Sequence, residues 1–164
     1  MEQSNFSISA CGTGTVECGG NSKKMNVRGG VHNIEYGVGR NKADVFFEHS
    51  TTLAPGETRT INLLDMADSC PGCKSVFAKV KFIFIQNRGN PEAAGQIIEV
   101  RSGTFNGPWG GQPGRNQIGP GNPFMVTESS EGWPVASGTS TIDLVNLDTT
   151  KEVKLCFQIV GTSI

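Results

Sequence analysis

Val76-Phe77-Ala78-Lys79-Val80-Lys81-Phe82-Ile83-Phe84-Ile85-Gln86 is the stretch on which the fold turns. Val76, Ala78, Val80, Phe82 and Phe84 recur at period two, with Lys79 and Lys81 opposite, which is the spacing of a strand and not of a 3.6-residue helix. From Phe82 onward Ile83 and Ile85 make the other face apolar as well, as in a central strand covered on both sides.

Working outward, the same period returns on each flank. Upstream, Ile61 and Leu63 alternate with Thr60 and Asn62, so the first pair faces a core. Before them Ala54-Pro55-Gly56-Glu57 is a tight turn, because proline presets φ and glycine accepts positive φ. Residues 43–53, 31–38 and 7–16 hold earlier strands, and residues 64–69 one helical turn. Downstream, residues 96–101, 123–127, 133–136 and 141–147 are extended. Val153, Leu155, Phe157 and Ile159 then alternate against Lys154, Cys156 and Gln158 in a terminal strand. Residues 102–123 are so rich in Gly, Pro and Asn that a long irregular loop is expected. The sum is an all-β chain, an antiparallel β-sandwich of jelly-roll-like form with about eight to ten strands.

Length and composition agree with this. The 164 residues fit one domain, 1–164, in which residues 1–25 read as an N-terminal arm. Gly 22 and Pro 8 imply many turns, and an apolar share of 36% implies a thin core. A formal charge of −1 with no basic run longer than Lys23-Lys24 argues against nucleic acid as a partner. No apolar run approaches the roughly 20 residues that span a bilayer, and the opening residues lack the pattern of a secretory signal, so no membrane role is expected.

Four cysteines carry the strongest chemical signal. Cys70-Pro71-Gly72-Cys73 is a CxxC, and Cys11 and Cys18 have six residues between them. Four thiolates suit tetrahedral zinc, but the upstream pair lacks the usual spacing of two to four residues and Lys74 stands where a knuckle glycine is usual. The alternatives are disulfides among Cys11, Cys18, Cys70 and Cys73, each worth about 2–4 kcal/mol in a thin-cored domain, or reduced thiols. Cys156 reads as a small filler. His32 and His49 sit in no catalytic signature, and Glu35, Glu48, Asp143 and Asp148 read as solvated carboxylates. No helix follows the glycine pairs, so they are turns and not phosphate loops. No catalytic residue and no cofactor is expected. Phe105, Trp109 and Trp133, with Phe124, are the candidate contact residues. Trp109 lies in the Gly/Pro-rich loop, where it suits docking on a subunit, capping its own barrel, or stacking on a sugar.

One further pattern spans residues 63–161. The run Phe77-Ala78-Lys79-Val80-Lys81 to Ile85-Gln86-Asn87, then Phe105-Asn106-Gly107-Pro108-Trp109-Gly110, Glu131-Gly132-Trp133-Pro134-Val135 and Gly161 resembles small proteins found among tailed-phage structural genes. That resemblance implies a jelly-roll-like virion protein, such as a capsid decoration protein, often oligomeric. It carries over no catalytic residue. The cysteines and the glycine-rich segment after Trp109 depart from the pattern. The expectation is a non-enzymatic virion protein that pairs with itself, a trimer being favoured, and with a major capsid protein. A carbohydrate-binding, extracellular module is the alternative, with Trp109 or Trp133 as platform and Asn106, Asn116 or Glu128 as hydrogen-bonding partners.

Overall fold

The computed structural model describes residues 11–18, 21–28, 35–37, 39–67, 74–92, 95–109, 113–128 and 130–163, without the side chains of residues 11–18, 21–28, 35–36, 67 and 74–75. Among them every regular element is a strand. In chain order these are β1 (Cys11–Cys18), β2 (Asn21–Arg28), β3 (Glu35–Tyr36), β4 (Lys42–Ala43), β5 (Val45–Leu53), β6 (Thr58–Asn62), β7 (Met66–Ala67), β8 (Lys74–Ser75), β9 (Lys79–Asn87), β10 (Ile98–Arg101), β11 (Arg115–Ile118), β12 (Pro123–Thr127), β13 (Trp133–Pro134), β14 (Thr141–Asn146) and β15 (Val153–Thr162).

Two antiparallel sheets form the body. One has the order β12-β9-β15-β5, with β13 extending the β12 edge along β9; the other has the order β11-β10-β14-β6. Apart from the β10–β11 hairpin, each connection among these eight main strands crosses between sheets. That is the winding of a jelly roll, two interlocked four-stranded sheets. The loops 54–57, 88–97, 119–122 and 147–152 gather at one end of the sandwich, and 63–78, 102–114 and 128–140 at the other.

The period-two pattern decides the core. Phe47, Leu53, Ile83, Ile85, Leu155, Phe157 and Ile159 from one sheet meet Ile61, Ile98, Val100, Ile118, Ile142 and Leu144 from the other. Each such side chain, fully buried, contributes about 1.5–3 kcal/mol of transfer free energy. A smaller cluster of Ala43, Phe82, Phe84 and Val160 lies on the outward face of the five-stranded sheet, with Phe46 and Met125 packed against it. The second half of β9 is therefore apolar on both faces, as its sequence requires.

The phase of β9 differs from the expected one. Val160 pairs with Phe82 but Gly161 pairs with Val80, so Lys81 is an extra residue, a β-bulge. Val80 consequently joins Ile83 and Ile85 in the core instead of following Phe82 and Phe84 outward. Upstream of β9, Phe77 is fully buried and Val76 is exposed, the reverse of a strand running unbroken from Val76. Gly161 is required at this bulge, where a Cβ would collide with the Lys79 carbonyl and the Phe77 ring. Lys81 is itself buried, its ammonium donating to the carbonyls of Gly39 (2.5 Å) and Ser130 (3.0 Å). Burial pushes that ammonium below the usual lysine value.

Three further expectations change. Residues 66–67 pair with 74–75 as β7 and β8, where a helical turn was expected. The span 102–123 is not one loop, because Arg115–Ile118 forms β11 against β10. Residues 11–18 and 21–28 form one hairpin, so the extended segment runs past residue 25.

Candidate functional site

The aromatic loop after β10 is held by polar bonds at its base. Ser102 donates its amide to the Gly114 carbonyl at 3.0 Å, closing the hairpin. Thr104 then locks onto β14: its amide donates to the Thr141 carbonyl at 3.1 Å, and its hydroxyl accepts the amides of Ser140 (3.2 Å) and Thr141 (3.1 Å). These bonds turn the chain inward, and Phe105 enters the core at 1% exposure. Phe105 is thus a core residue and not a contact residue, because its ring has no surface to offer.

Trp109 is half-buried and stacks on Phe124 of β12, with centroids 6.1 Å apart and planes 3° from parallel. Gly114 lies so close to the indole that a Cβ there would overlap the ring. Phe124 pairs with Ile85 within the five-stranded sheet, so the Trp109–Phe124 stack joins the loop that leads into β11 of one sheet to β12 of the other, and both rings pack against the core. Of the three roles open to Trp109, capping its own sandwich is the one this packing performs. Trp133 is half-buried too; it pairs with Val80 and packs on the core. Asn106 is exposed in the loop, and Asn116 lies in β11 opposite Val100. The hydroxyl (2.5 Å) and amide (3.2 Å) of Ser130 both donate to Glu128, the hydroxyl contributing most to holding its carboxyl below the usual range.

No family model and no curated protein matches the chain.

The remaining candidates separate in space. Among the described residues no group of three or more His, Cys, Asp or Glu is placed to hold a metal. Cys11 and Cys18 are the ends of β1, and seven strand rises put their Cα atoms roughly 23 Å apart. One zinc needs sulfurs about 2.3 Å from the ion, and a disulfide needs Cα atoms within about 7 Å. This pair can therefore meet neither the same zinc nor each other while β1 holds. Cys70, Cys73 and His32 lie outside the described residues. His49 packs its ring on Phe47 and Phe157, with centroids 6.1 and 5.7 Å away. Asp143 accepts the Thr60 hydroxyl at 2.6 Å.

Asp148 accepts the amides of Thr150 (2.8 Å), Gln96 (3.0 Å) and Lys151 (3.0 Å) and the Thr150 hydroxyl. These donors, Thr150's amide foremost, hold its carboxyl far below the usual range. Its role is to tie two loops together.

Sequence reasoning missed a polar cluster on the outward face of the four-stranded sheet. Glu99 is nearly buried there, gripped by Arg101 and reached by Gln117 at 3.5 Å. Arg101 is the main cause of its lowered pKa. Alternation within residues 98–101 and 115–118 carries this signal, but only once β11 is paired with β10.

Proposed function

We propose that the protein is a non-enzymatic structural subunit that self-associates through the β5 edge of its five-stranded sheet. The observation that carries this reading is β5, a nine-residue strand paired on one side only, with β15, among the described residues. Long edge strands attract further strands unless they are shortened or carry Pro, Lys or a bulge. The other three edges use such devices: β6 and β11 are short and carry an arginine each, and β12 is short and opens with Pro123. β5 is the longest of the four edges and contains neither Pro, Lys nor Arg, its one charged residue being Glu48.

The described surface argues against a broad apolar contact, since only Val76 and Leu147 are large, exposed hydrophobics. Pairing of backbone groups needs no such patch. A place on a virion, as a decoration protein beside a major capsid protein, rests on the resemblance over residues 63–161 and on the jelly-roll winding. The glycan reading has less support: a sugar platform needs an open indole face, whereas Trp109 stacks on Phe124 and is pressed by Gly114.

Light scattering across a dilution series tests the proposal. A discrete oligomer that Ser50→Lys/Thr52→Lys converts to folded monomer supports it. A native chain that is monomeric at every concentration overturns it.

A further inference from the structure

The backbone groups on the side of β5 that faces away from β15 are not equivalent. In an antiparallel ladder the N–H and C=O of one residue point to the same side, and the side alternates from residue to residue. The Lys154 carbonyl accepts the Arg88 amide at 2.8 Å, so Lys154 turns its backbone toward β9 and away from Thr52, its partner in β5. Thr52 therefore turns its own backbone groups outward to the edge, and by the same alternation so do Ser50, Glu48 and Phe46.

The two ends of this row are already engaged. The Thr52 carbonyl accepts Arg59 Nη2 at 3.3 Å, and the same guanidinium bonds the Thr51 hydroxyl and is held by Glu57 at 2.7 Å. Phe46, at the other end, has an interaction of its own. β8 comes near β5 without pairing with it. Between these limits lie the edge amides and carbonyls of Glu48 and Ser50, which bond to no other described residue. The side chains of Glu48 and Ser50 alternate with those of Phe47 and His49, and it is the latter pair that turns inward, the His49 ring packing on Phe47 and Phe157.

Resting on the self-association proposed above, we infer that β5 of a second copy of this chain pairs antiparallel with this one about a two-fold axis at His49, Glu48 of each copy lying opposite Ser50 of the other. A two-fold pair of edges is self-complementary and closes on itself. Residues hydrogen-bond across it only where both turn their backbone groups to the edge. A register centred on Glu48 sets the two Glu48 carboxylates against each other, where like charges destabilise, and calls on Phe46. One centred on Ser50 needs the Thr52 carbonyl for Glu48, and Arg59 holds that carbonyl. The register centred on His49 uses Glu48 and Ser50 alone: the pair exchanges both N–H···O bonds, and the axis repeats the exchange. In it the lysines of Ser50→Lys/Thr52→Lys, doubled by the axis and set beside Arg59, outnumber the Glu48 carboxylates, so that variant still disfavours pairing.

Disulfide trapping in the full-length chain reads the register. Glu48→Cys and Ser50→Cys chains are produced together so that their subunits mix, and each variant alone is checked for a native-like melting transition. After mild oxidation, β5 peptides joined to each other are identified by mass spectrometry. In the inferred register, position 48 of one copy and position 50 of the other have Cα atoms about 5.5 Å apart, within disulfide range, whereas two copies of the same position lie roughly 8–9 Å apart, beyond it. The mixed disulfide is therefore expected in several-fold excess over either homodisulfide. If one of these variants fails to fold, His49→Cys takes its place, and a homodisulfide on the axis is expected from it. A homodisulfide at position 48 or 50 that reaches the share given by random pairing, or no disulfide between β5 strands in a folded oligomer, overturns the inference and leaves self-association standing. A native chain that light scattering finds monomeric at every concentration overturns both.

Discussion

Asn146 is buried at 1% exposure, and its amide nitrogen donates to three carbonyls, of Leu53 (3.3 Å), Ala54 (2.9 Å) and Lys151 (2.8 Å), while its oxygen accepts the Asp148 amide at 3.0 Å. Asn87 plays the matching part on β9, donating to Gln96 (2.6 Å) and Ile118 (3.0 Å) and accepting from Gly89 (2.8 Å). Two asparagines thus clamp the four loops at one end of the sandwich. Asn146→Leu leaves these partners unpaired in a site too enclosed for easy repair, and it should cost about 2–3 kcal/mol, read as a lower urea midpoint at constant m-value. Asp148 adds a pH dependence. Its folded pKa lies below the unfolded value of about 3.9, so its stabilisation is fully present above that pH and is lost as pH falls through the folded value. Asp148→Asn should therefore lower the melting temperature at pH 7 and narrow the gap to wild type in acid, measured by thermal melts from pH 7 to pH 2. In the opposite end loop, Trp109→Ala should cost about 2 kcal/mol through loss of the Phe124 stack, without altering the sheet content seen by circular dichroism.

At the scale of elements, the bulge in β9 and the long edge strand β5 matter most. Gly161→Ala forces a methyl group into the Lys79 carbonyl, and overpacking of this kind costs about 1–3 kcal/mol. Chemical denaturation checks it, and a loss within error of zero would mean that the bulge relaxes. The edge prediction is different in kind: Ser50 and Thr52 are exposed, so lysines there should leave the melting temperature within a few degrees while shifting the mass toward monomer. Most strands of the body were legible because their residues alternate, as in β15, where Val153, Leu155, Phe157 and Ile159 all reach the core. β11 was not, since Arg115-Asn116-Gln117-Ile118 holds one apolar residue and becomes a strand only through its partner β10. The bulge was equally hidden, because an inserted residue shifts the phase without changing the hydrophobic composition of the run.

For the whole molecule, the two outward faces differ. One sheet carries Arg101, Arg115 and Asp143 on its outward face, none of them buried, and the other buries Phe82, Phe84 and Val160. Cys156 reports on the second face. Alternation places it outward with Lys154 and Gln158, yet it is 2% exposed and unbridged. In the native chain iodoacetamide should leave Cys156 unmodified, and in urea it should react freely, as peptide mass spectrometry can show. Rapid native alkylation at Cys156 would mean that this face opens on its own.

The candidate residues fared unevenly for one reason. Aromatic residues in a glycine-rich loop stand out in a sequence whether they face a partner or their own core, and only the Thr104–Thr141 bonds that turn the loop inward distinguish the two. Phe105 and Trp109 were conspicuous, but their packing inside one chain was invisible. Local alternation and turn chemistry determined by themselves that the chain is a β-sandwich, since side-chain period and backbone preference act over a few residues. The tertiary structure alone decided the strand order, the bulge at Lys81, the inward turn of the aromatic loop and which outward face is buried. Each of these depends on contacts between residues far apart in sequence, whose free energy no local pattern contains.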